Sequence, residues 1–136
     1  MDEDETERED AMLNKSEIIG FVATKNAGLA REFYEKTLGL TFVSDDNFAL
    51  VFDANGTMLR IQKVDTVNPN HYTVLGWNVA DIRSEVASLQ KRGVAFARYD
   101  GMRQDDLGIW TSPGGAKIAW FQDPDGNILS LTEFKP

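Results

Sequence analysis

Apolar positions along the chain alternate between two periods, and the switches mark out the elements. Residues 17–24 (E-I-I-G-F-V-A-T) form an apolar run of strand length. Behind Asn26, a good N-cap, Leu29, Ala30, Phe33, Tyr34 and Leu38 recur at helical spacing, and Gly39 supplies the left-handed residue that ends the helix. Residues 41–44 and 48–52 read as strands, and Asn55-Gly56 turns the chain into a further strand over 58–63. A polar, proline-bearing stretch, 65–70, follows. The same order then begins again. Residues 72–79 predict a strand, and Asp81 caps a helix whose apolar face is Ile82, Val86 and Leu89. Gly93 stops that helix, and strands are predicted over 94–99, 117–122 and 128–134.

The repetition extends to single residues. Residues 120–133 (W-F-Q-D-P-D-G-N-I-L-S-L-T-E) follow the pattern of 50–63 (L-V-F-D-A-N-G-T-M-L-R-I-Q-K), with Asp123 matching Asp53, Gly126 matching Gly56 and Leu129 matching Leu59. Two copies are too few for a solenoid. The organisation expected is one domain over 15–136: module one at 15–64, a linker at 65–71 and module two at 72–136. Each module has the order β-α-β-β-β. Strand parity then divides the last strand of each copy. Leu59, Ile61, Leu129 and Leu131 fall on one face, to pack beneath the helices. Met58, Arg60 and Gln62, with Ile128, Ser130 and Thr132 in the second copy, fall on the other.

Composition narrows the class. A chain of 136 residues with 42% hydrophobic content can bury a sizeable core as one soluble domain. No apolar run approaches the roughly 18 to 20 residues of a membrane span, and no signal peptide is evident. The absence of cysteine excludes disulfides and thiolate metal sites and fits a reducing cytoplasm. The net charge of −8 is concentrated at the start, where residues 1–10 hold seven acids and one base. Residues 1–14 therefore read as an acidic, disordered tail. The remainder, with 13 bases and 15 acids, is close to neutral and lacks a basic stripe, which argues against nucleic acid as partner.

With F-Y-x-x-x-L-G-L at Phe33 to Leu40 in copy one and D-P-D-G-N at Asp123 to Asn127 in copy two, the chain resembles the vicinal oxygen chelate superfamily, which includes glyoxalases, bleomycin-resistance proteins and extradiol dioxygenases. The resemblance spans residues 17–134. It implies an α+β fold in which two βαβββ modules form a curved mixed sheet around a cavity, with helices on the outer face. It also implies a divalent metal held by His and Glu on the cavity face. Matched by position, those ligand sites fall on Ile19 (or Ile18), Arg60, Val74 (or Leu75) and Ser130. Hydrocarbon side chains have no lone pair to give, and arginine is only a donor. A guanidinium about 4 Å from a dication would be repelled by roughly 8 kcal/mol at an effective dielectric near 20. Gln62, Ser130 and Thr132 could make at best a weak oxygen site. The one histidine, His71, stands alone at the linker edge and reads as a surface residue.

No metal, no cofactor and no catalytic residue is therefore assigned. Ser130 has no histidine in the pattern to activate it. Ser112 to Gly115 (S-P-G-G) lacks the lysine of a phosphate-binding loop and reads as a loop tip. What remains is an apolar hollow. Trp120, three residues before Asp123, has Leu50 as its repeat partner, and Ile118 and Phe48 lie one step along the same faces. Met58 and Ile128 add to this lining, and Arg60, Gln62, Ser130 and Thr132 supply polar points. Segment 100–115, with Trp110 and Met102, reads as a lid over the mouth. The favoured function is sequestration of a hydrophobic or aromatic small molecule, without metal, by a cytoplasmic protein. The resemblance further implies a homodimer. A metal-dependent lyase, isomerase or dioxygenase with displaced ligands is the alternative, and a partner-binding module is a third reading.

Overall fold

The computed structural model describes residues 12–136, so all but residues 12–14 of the expected acidic tail lie outside the described residues. Leu13–Lys15 form a single 3₁₀ turn ahead of β1 (Ile19–Thr24). The Asn26 side chain accepts the Leu29 amide at 3.1 Å and starts α1 (Ala27–Glu32). The helix then widens into a π turn, Phe33–Thr37, where the expectation was one regular helix; the Leu38 amide reaches back to the Phe33 carbonyl at 2.9 Å. Strands β2 (Thr41–Asp45), β3 (Ala49–Ala54) and β4 (Thr57–Lys63) complete the first module. The second comprises β5 (Thr73–Asn78), α2 (Ile82–Lys91), β6 (Trp110–Thr111), β7 (Lys117–Gln122) and β8 (Ile128–Glu133).

Each module closes its own four-stranded mixed sheet, in the order β1-β4-β3-β2 and β5-β8-β7-β6. The first and last strands of a module pair in parallel, and the others are antiparallel. The fold class is the one the repeat and the signatures imply: α+β, two βαβββ units, helices against one face of the sheets. Parity works as expected in the last strands. Leu59, Ile61, Leu129 and Leu131 are buried with Tyr34, Phe52, Val86 and Phe121 in one core on the helix side. Each such side chain contributes about 1.5–3 kcal/mol when fully buried.

One expectation fails in the second module. Residues 94–99 form no strand: they run beside β7 and bond to it through the Ala97 amide and the Trp120 carbonyl alone (2.8 Å). The edge strand is β6 instead, where Trp110 pairs with Ile118 and Thr111 with Lys117. Segment 100–115, expected as a lid, is internally bonded. Asp105 accepts the Leu107 and Ile109 amides, each at 2.9 Å, and pairs with Arg83 of α2. The Gln104 amide group bonds Ala97, Gly108 and Tyr99. These local hydrogen bonds give the segment a defined shape.

The D-P-D-G-N turn joins the modules. Gly126, at φ 87°, closes it, and Asp123 Oδ1 accepts the Asp125 and Asn127 amides. The other Asp123 oxygen accepts the Tyr34 hydroxyl of module one at 2.7 Å. Asn127 donates to the Ala23 carbonyl, and Asp125 accepts Thr24 Oγ1 and the Lys25 amide. The two sequence signatures are therefore bonded to each other in the folded chain.

Candidate functional site

The hairpins of the two modules differ in pairing register by one residue, and that difference decides which side chains reach the open faces of the sheets. In module one Ala54 pairs with Thr57, so residues 55 and 56 alone make the turn, with Asn55 and Gly56 both at positive φ. In module two Gln122 pairs with Ile128, and residues 123–127 make the turn. Alignment on the turn glycines is right for β4 against β8 but one residue out for β3 against β7. By pairing, Trp120 stands across from Ser130, and its counterpart across from Arg60 is Val51. Leu50 pairs with Ile61 and is buried to 1% exposure in the helix-side core. Leu50 does not line the open face, because a one-residue slip turns every side chain over. Phe48 lies in the bend before β3 with its ring exposed.

The remaining predicted residues do lie on open faces, on two separate sheets. Trp110, Ile118, Trp120, Ile128, Ser130 and Thr132 share that face in module two. Trp120 packs edge-on against Tyr99, ring centroids 5.6 Å apart, and lies 6.1 Å from Trp110. Beside this cluster is a cavity of about 330 Å³ lined by His71, Tyr72, Thr73, Tyr99, Trp120 and Ile128. Trp110 is held in β6 and packs beside Trp120, outside the lining of that cavity. Ser130 is buried beside Gly76, where a Cβ would come within 2.9 Å of Ser130 Oγ, so glycine is what lets the hydroxyl occupy that face. Sequence reasoning missed Tyr72, Thr73 and Tyr99 as lining and read His71 as surface only. An aromatic opening the run 72–79, Tyr72, and one closing the run 94–99, Tyr99, are the signals that could have found two of them.

In module one, Met58, Arg60 and Gln62 share the open face of β4, outside that cavity. Arg60 is partnered: its Nη2 lies 3.0 Å from Asp46 Oδ2. Amides of Phe48 and Ala49, and then Arg60 itself, hold the Asp46 carboxyl below its ordinary range. Around this pair the face is apolar and exposed, with Ile19, Phe21, Val43 and Met58 all open to solvent.

The family's metal does not fit these residues. Ile19 and Phe21 are the β1 side chains nearest Arg60 on the open face, and Leu75 belongs to the helix-side core. Val74 is hydrocarbon, and Ser130 offers one neutral hydroxyl. Among the described residues no three His, Cys, Asp or Glu side chains come together.

A family profile described as the Glyoxalase/Bleomycin resistance protein/Dioxygenase superfamily matches residues 18–131, and the chain belongs to that superfamily. No curated protein matches the chain significantly. Solved structures similar to it include TnmS3, an antibiotic binding protein from Streptomyces sp. CB03234. It is 26% identical over 91% of this chain and 99% of that one, with a TM-score of 0.69. A superfamily member from Sphaerobacter thermophilus DSM 20745 is 25% identical over 90% and 100%, at 0.70. Lactoylglutathione lyase from Agrobacterium tumefaciens, 13% identical over 88% and 93% at 0.69, shares the fold. No helix among the described residues is long and apolar enough to cross a membrane.

Proposed function

We propose that this protein is a metal-free binder that sequesters a flat, hydrophobic or aromatic small molecule, held against the open face of its second sheet. The observation that carries this reading is the aromatic wall of Tyr99, Trp120 and Trp110 beside a cavity within the usual size range for small ligands. Offset and edge-on ring contacts add about 0.5–1.5 kcal/mol each beyond the area they bury. Ser130 and Thr132 give the same face a few polar points for orientation. The likeness to TnmS3 supports a binding role, and the donor-poor ligand positions weigh against metal chemistry. The exposed apolar face of module one supports a homodimer in which that face is covered. The cysteine-free composition supports a cytoplasmic setting.

The experiment is a thermal-shift screen against aromatic antibiotics and small carboxylates, on protein purified without chelator and analysed for metal. A ligand at 100 times its dissociation constant stabilises by about 2.7 kcal/mol, which is several degrees in a domain of this size. The reading expects such a shift from flat aromatic compounds, its loss in Trp120→Ala, and no stoichiometric metal. Near-stoichiometric zinc, nickel, manganese or iron whose removal abolishes a lyase or dioxygenase activity would replace it with the enzyme reading.

A further inference from the structure

Two irregular segments face each other on the helix side of the sheets, away from Trp120's open face. One is the π turn Phe33–Thr37; such turns are rare and concentrate at functional sites. The other is the stretch 94–97, tied to β7 by the single Ala97–Trp120 bond. Among the described residues, the Ala95 and Phe96 amides meet no protein acceptor, so these donors are open to a guest or to water. Between the two walls lies a cavity of about 530 Å³. Phe121 floors it, with Phe96 at 5.3 Å and Phe33 at 6.5 Å between ring centroids.

Arg92 crosses this groove. From the C-cap of α2 it donates Nη1 to the Thr37 carbonyl at 3.0 Å, and it also borders an adjoining cavity of about 270 Å³. It is the one cation lining either cavity. The acid at the floor, Asp123, has both oxygens engaged by Tyr34, Asn127 and the turn amides. The acceptor now holding Arg92 is a neutral carbonyl. A carboxylate accepts from a guanidinium roughly twice as strongly and can take both arms of its fork. We infer that this inter-module groove is a second binding site, distinct from the Trp120 face, for a small aromatic monocarboxylate. The ring would lie between Phe33 and Phe96, over the buried Phe121, and the carboxylate would draw Arg92 from Thr37.

The probe is 3-phenylpropanoate, titrated into the full chain and followed by amide chemical shifts. The inference expects saturable shifts at Thr37, Gly93, Ala95 and Phe96. It expects 3-phenylpropan-1-ol, the same ring without the charge, to bind about tenfold more weakly, and Arg92→Gln to cost about tenfold as well. Trp120→Ala should leave the affinity within about twofold, so failure of the first site would not be read as failure of this one. Shifts confined to Thr73, Trp120 and Ser130 would overturn it. So would equal binding of acid and alcohol, or no shift up to the solubility limit of the acid. Should Arg92→Gln not fold, the acid–alcohol comparison on the unaltered chain still decides.

Discussion

The phenol of Tyr34 shows how much a single buried group can carry. Its ring is fully buried, edge-on to Phe33 and tilted against Phe52, and its hydroxyl ends on Asp123. Tyr34→Phe keeps the packing and removes the donor, so it should cost about 1–3 kcal/mol in denaturant unfolding. It should also change the alkaline limb. Burial, and then the neighbouring charge of Asp123, push the Tyr34 ionisation far above its ordinary value. Folded Tyr34 keeps its proton where the unfolded chain gives it up, so stability is complete below the ordinary phenol value near 10 and falls as pH rises past it. The Phe variant, measured over the same pH range, should fall less steeply. Leu50 and Trp120 make a second pair of tests. Leu50→Ala should cost about 2–5 kcal/mol as a core truncation without weakening a ligand held at Trp120; Trp120→Ala should abolish ligand binding while lowering the melting temperature less than Leu50→Ala does. Periodicity made Tyr34's burial legible, but a bond to a residue 89 positions away is beyond any local pattern.

At the scale of elements, the caps, the repeat and the last strand of each module could be read directly, because Asn26, Asp81, Leu59 and Leu129 each act within their own segment. The hairpins could not. Asp-Ala-Asn-Gly and Asp-Pro-Asp-Gly have equal spacing, yet one pairs tightly around Asn55-Gly56 and the other gives up an extra residue to the hydrogen bonds of Asp123. The second miss, 94–99, has the same kind of cause. Its apolar alternation suits a strand, but Gln104 and Arg98 tie it to the following loop instead. Hydrogen exchange checks this: the Ala95 and Phe96 amides should exchange quickly, while Ala97, bonded to Trp120, should be protected. Equal protection along 95–97 would mean that the stretch pairs with β7 in solution.

For the molecule as a whole, the open face of module one is an uncovered apolar surface. Ile19, Phe21 and Met58, 46%, 57% and 43% exposed, sit around the Arg60–Asp46 pair. Covered by a second copy, as proposed above, this face should give a dimer in sedimentation, and Phe21→Glu should shift the population to monomer with the fold intact. Sedimentation as a monomer at tens of micromolar would leave that face for some other cover. The clasp of Asp123, Asp125 and Asn127 also sets an order of events. A growing chain offers Thr24 and Tyr34 to solvent long before the residues that grip them have been made, since about a hundred positions separate Thr24 from Asp125. The first half must wait, its phenol unanswered, and translation arrested short of that turn would release a protein whose halves lack this clasp and keep only their shared core and the Arg92–Thr37 bond.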